Sequence, residues 1–102
     1  MKFYQQGDVI LEIVDEVQGE PVEIPSGKIA EGETTGHSHA FADTRHIRFF
    51  RNDQQEIFLD LIRPSMLGHQ EHKGIVVPLG KYRVRIVREY DHFTEEIKNI
   101  AD

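Results

Sequence analysis

The chain has 102 residues, no cysteine, 38% hydrophobic side chains, and 18 acidic against 12 basic residues for a formal net charge of −6. That length suits one domain, expected over 1–102, with a small core. The acidic balance argues against nucleic-acid binding through phosphates, and the absence of cysteine excludes disulfide staples, thiolate zinc sites and cysteine nucleophiles. No apolar run reaches the roughly 18 residues that a membrane span requires, and the first residues meet charge at once and lack a secretory apolar core. The expected setting is therefore cytoplasmic, with no membrane or nucleic-acid partner.

The periodicity is that of strands. Gly7-Asp8 opens the branched run Val9-Ile10-Leu11-Glu12-Ile13-Val14, long enough for one strand. Gly19, Pro21, Pro25 and Gly27 then cut the chain into short extended pieces, as those residues do. Lys28-Ile29-Ala30-Glu31 reads as a short strand leading into a glycine-bounded loop that delivers His37 and His39. The segments His46–Arg51 and Glu56–Ile62 form a hairpin across Asn52-Asp53-Gln54-Gln55, with Ile57, Leu59 and Leu61 on one face. Arg63-Pro64 ends it, because proline cannot donate to a ladder.

Ser65-Met66-Leu67-Gly68 leads to a second histidine pair, and Ile75-Val76-Val77-Pro78 is a further short strand before the Leu79-Gly80 turn. From Lys81 to Tyr90 the alternation is longest, with Tyr82, Val84 and Ile86 on one side and Arg83 and Arg85 on the other. That pattern fits an antiparallel strand with one wet face, its arginines paired with acidic neighbours. The tail over 94–101 reads as a helix capped by Thr94, with Ile97 and Ile100 on one stripe. About eight short strands and this terminal helix point to an all-β fold, a small antiparallel barrel or sandwich.

Four of the six histidines fall in two tight pairs, His37-Ser38-His39 and His69-Gln70-Glu71-His72. On a strand, residues two apart project to the same side with Cα atoms roughly 6.5–7 Å apart. From there both imidazoles can turn inward to one ion, each bonding at about 2.0–2.1 Å. The intervening hairpins would fold one pair onto the other. Each pair alone is equally well read as solvated histidines at a loop rim. Glu71 is placed to be a ligand, an orienting partner of an imidazole, or a proton-transfer group. Glu31 and Glu33 are weaker carboxylate candidates. His46, between Arg45 and Arg48, and His92, beside Asp91, are not expected to bind a cation.

Two resemblances follow from these residues. His37-Ser38-His39 is similar to the His-x-His of the cupins, metal-binding β-barrels. Here, though, four residues separate Gly32 from His37 where that motif has five, and Asp43 falls where it has glutamate. Pro78-Leu79-Gly80 resembles the second cupin box, with Arg83 where that box has its metal histidine, so His69 or His72 would have to replace it. More extensively, Gln6-Gly7-Asp8-Val9, Gly36-His37-Ser38-His39, His69-Gln70-Glu71-His72 and Arg88-Glu89-Tyr90-Asp91 resemble a family of short uncharacterised bacterial and phage-associated proteins. The resemblance implies that both histidine pairs belong to one framework.

The expected function is binding of one divalent transition metal by His37, His39, His69 and His72, zinc first, with iron, nickel or manganese as alternatives. Three bound histidines would leave a position open for hydrolytic or oxygenase chemistry on a small-molecule substrate, with Glu71 moving the proton. Four would make the site structural. The rival expectation is a metal-free binding or assembly module, acting through strand edges or as a homodimer.

Overall fold

A computed structural model describes residues 2–32 and 36–87; the expected helix over 94–101, His92 and Glu33 lie outside them. Among the described residues the order is β1 (Phe3–Gln6), β2 (Val9–Ile13), β3 (Glu20–Val22), β4 (Lys28–Glu31), β5 (Ser38–Phe41), β6 (Ile47–Arg51), β7 (Ile57–Leu61), β8 (Ser65–Gly68), β9 (Ile75–Val77) and β10 (Gly80–Ile86). They form two antiparallel sheets, ordered β1-β2-β10-β7-β6-β3 and β4-β5-β8-β9. The all-β expectation holds, but the barrel does not close. One end of the larger sheet is β3, a strand of three residues that includes Pro21, and proline is suited to such an edge because it has no N–H to donate.

One core cluster draws on both sheets. Val9, Leu11, Phe49, Leu59, Leu61, Tyr82 and Val84 come from the larger sheet, and Ile29, Phe41, Leu67 and Val77 from the smaller. Its inward positions follow the strand period of two, as with Tyr82 and Val84 in β10. On the other side of β10, Arg83 donates to the carboxylate of Glu56, Arg85 lies 3.6 Å from Glu12, and Lys81 lies 3.6 Å from Glu16. That is the wet, charge-paired face that the alternation implies. The β6–β7 connection is one residue longer than expected, running over 52–56. Asn52 Oδ1 accepts from the backbone N–H groups of both Gln54 and Glu56, at 3.0 and 2.9 Å, and so draws Glu56 into the turn.

Two details of the smaller sheet set the position of the histidines. A register shift between Lys28 and Ala30 lets Ile29 enter the core and sets Ala30 opposite His39. In the next pairing Phe41 is opposite Leu67 and Ala40 opposite Gly68, so continuing the register brings His39 toward His69. Removing the shared core has a definite cost: Leu59→Ala is expected to lower the unfolding free energy by about 2–5 kcal/mol. Val76→Ala, at a 60% exposed position, is expected to stay within about 0.5 kcal/mol. Denaturant unfolding of the two variants checks the contrast.

Candidate metal centre

The histidine pairs meet where the smaller sheet faces the β1–β2 turn. β5 alternates, so that His39 and Phe41 are buried while Ser38 and Ala40 are partly exposed. His37 lies just before β5, where its carbonyl accepts from Gly32 N–H at 2.8 Å. The connection over 69–74 between β8 and β9 supplies His69 and His72. It is tied to β5 by Ser38 N–H, which donates to Gln70 Oε1 at 2.9 Å. Ring centroids are 4.3 Å apart for His39 and His69, 4.6 Å for His69 and His72, 5.9 Å for His39 and His72, and 6.0 Å for His37 and His69. Imidazoles sharing a tetrahedral ion at about 2.0–2.1 Å stand with centroids on the order of 5 Å apart. The spatial convergence expected of all four histidines is therefore present.

The third wall comes from the two-residue turn Gly7-Asp8, set by pairing of Gln6 with Val9. Gly7 has φ +58°, and a Cβ there would come within 2.5 Å of His72 Nε2. A Cβ at Gly32 would come within 2.6 Å of His69 Nε2. Both glycines thus leave the room that an imidazole fills. Asp8 Oδ1 lies 3.3 Å from His39 Nε2, and Glu71 Oε1 lies 3.3 Å from His37 Nδ1. Gln6 is buried beneath them, with its Oε1 2.9 Å from His39 Nδ1 and its Nε2 donating to Leu67 O and Lys73 O.

The sequence pattern groups the histidines and Glu71 but gives Gln6 and Asp8 no role in the site. Their signal was the Gln6-Gly7-Asp8 segment itself, a turn about thirty residues upstream of the first histidine pair. Glu31, the weaker carboxylate candidate, is instead paired with Lys28 at 2.6 Å. Arg45 donates to Asp43 through its backbone and its guanidinium, which holds that carboxyl well below the usual range.

The electrostatics favour a neutral His39. His39 is 0% exposed. Burial, followed by the nearby charge of His69, pulls its pKa below the ordinary 6.5, against an upward pull from Asp8. Among the described residues, His37 Nδ1, His39 Nε2 and His69 Nε2 are buried without hydrogen-bond partners. An unsatisfied buried polar atom costs about 1–3 kcal/mol, so three in one cluster call for an explanation. Among the described residues, no three such side chains are already disposed to grip an ion. One obstacle is identifiable: Glu71 N–H donates to His69 Nδ1 at 3.0 Å, which leaves the ring proton on Nε2. Ligation by either nitrogen of His69 breaks that bond, through a change of tautomer or a half-turn of the ring.

Fold and site together define an all-β protein with a buried histidine cluster. Its residues 5–87 match the profile of a domain of unknown function, DUF8820, and the chain belongs to that family. The matched span contains every residue of the cluster. Searches of curated proteins and of solved structures gave no match. Among the described residues, no helix is long and apolar enough to cross a membrane.

Two outcomes follow from this geometry. Gly32→Ala is expected to displace His69 and lower stability by about 1–3 kcal/mol, as overpacking does, with the loss read from chemical denaturation and the displacement from His69 ring shifts in NMR. The pH response of the ion-free protein follows from His39. Its folded pKa lies below its unfolded value of about 6.5, so the unfolded chain binds more protons below that pH. The stability due to neutral His39 is complete above about pH 6.5 and is lost as the pH falls toward the folded value. Thermal melts from pH 8 to 5 are expected to fall more steeply for the native sequence than for His39→Gln.

Proposed function

We propose that this chain is a small metal-binding β protein. It takes up one divalent transition ion, zinc first and iron, nickel or manganese after it, within the cluster of His37, His39, His69 and His72. The observation that carries the reading is the trio of imidazole nitrogens buried together without a hydrogen bond. They are drawn from two distant stretches of chain and cradled by glycines whose Cβ atoms would occupy the same space. Imidazoles with carboxylates nearby and no thiolate suit borderline and harder divalent ions. The net charge of −6 is eased by a cation.

Beside His37, the half-exposed carboxylate of Glu71 is placed to accept or return a proton at the solvent side of the cluster. The bound ion would supply Lewis acidity. On this reading the chemistry is that of a metal-dependent hydrolase or oxygenase acting on a small molecule in the cytoplasm. The likeness to cupins is limited to a His-x-His at the start of a strand, since Asp43 and Arg83 are occupied by Arg45 and Glu56. The bacterial and phage-associated proteins that share the Gly-His-x-His segment would carry the same centre.

Elemental analysis of untagged protein is expected to find one ion per chain, and saturation with zinc at a hundredfold excess over Kd to add about 2.7 kcal/mol of stability. His37→Ala with His39→Ala is expected to abolish both, and uptake to decline below about pH 6.5 as the imidazoles protonate. Metal-free protein whose Tm is unmoved by excess zinc, iron or nickel would instead identify a binding or assembly module that works through its strand edges or as a homodimer.

A further inference from the structure

The orientation of one buried amide decides which nitrogen of His39 carries a proton. Gln6 is 3% exposed, and its Nε2 donates to two carbonyls, Leu67 O at 3.0 Å and Lys73 O at 3.1 Å. Turning the amide over would press Oε1 against both carbonyl oxygens, acceptor on acceptor. Oε1 therefore faces His39 Nδ1, 2.9 Å away. An amide oxygen only accepts, so Nδ1 carries the hydrogen. A neutral imidazole has one N–H, which leaves the lone pair on Nε2.

An acceptor stands beside that lone pair. Asp8 Oδ1 lies 3.3 Å from His39 Nε2, within ion-pair reach, yet the contact does not meet hydrogen-bond geometry. Two acceptors held this close repel unless a positive centre bridges them. Two donors bound to a tetrahedral ion at about 2.0–2.1 Å are themselves about 3.3 Å apart. The turn geometry agrees, because Gly7 beside Asp8 leaves the space that His72 occupies. The His37–Glu71 pair has the same 3.3 Å separation but is set on the solvent side, with Glu71 51% exposed against 28% for Asp8.

Resting on the metal reading above, we propose that Asp8 is the carboxylate ligand of the ion, joined to His39 Nε2, and that Gln6 is the positioning residue that holds His39 in the ligating tautomer. The centre is then a mixed imidazole–carboxylate site that spans both sheets. Gln6 serves as the orienting partner that metal-binding histidines commonly have on their other ring nitrogen.

The test has two arms. In the first, 15N NMR of histidine-labelled, ion-free protein near pH 8 is expected to show His39 protonated at Nδ1. Gln6→Leu removes the acceptor and is expected to mix the two forms. Protonation at Nε2 in the native sequence overturns the positioning role. In the second, zinc and cobalt(II) are titrated into the native protein and into Asp8→Asn, a change well tolerated in this turn. Affinity is expected to fall by about tenfold or more and the visible cobalt spectrum to change, while the ion-free Tm does not fall. Equal affinity and an unchanged spectrum in Asp8→Asn overturn the ligand assignment alone. No uptake by the native protein overturns the metal reading and the assignment with it, whereas the tautomer of the first arm is read without any ion.

Discussion

The amide of Gln6 joins three parts of the molecule that are far apart in sequence. Its nitrogen closes on Leu67 and Lys73, the residues at the two ends of the loop bearing His69 and His72, and its oxygen meets His39 on β5. Because the amide is buried, water cannot substitute for any of these partners, and each hydrogen bond has its full desolvation penalty behind it. That one side chain touches the loop, the strand and the turn together, and so helps hold the histidine cluster in this form. The glycines contribute by omission: Gly7 and Gly32 give up side chains where His72 and His69 require volume.

Much of this was legible in the chain. The alternation from Tyr82 to Ile86, the branched run from Val9 and the apolar positions of β7 each specify a strand with a defined inward face, because burial on one side is a property of the local period. That the arginines of β10 pair with acidic neighbours followed from the same pattern, although the particular partner, Glu56 for Arg83, did not. The gathering of both histidine pairs was also readable, since each lies at the end of a strand and the hairpin between them returns the chain on itself. The likeness to an uncharacterised family agrees with the match to a domain of unknown function.

What could not be read is long-range. Whether the strands close a barrel depends on which edges meet, and a three-residue strand containing Pro21 gives no local sign of its position at the border of a six-stranded sheet. Gln6 and Asp8 belong to a turn whose composition explains itself as a turn, so its place in the family resemblance was the one sign of a second role. Only the register of β2 against β10, and of β5 against β8, brings that turn to the histidines. The extra residue in the β6–β7 connection arises from a side-chain preference of Asn52 that competes with strand pairing.

The bonds from Gln6 close stretches of 61 and 67 residues. Contacts so distant along the chain form late, after the entropy of closing those stretches has been overcome. The four imidazoles therefore come together only as the sheets are completed. In a polypeptide without thiols, the cluster is a seal applied to the finished fold.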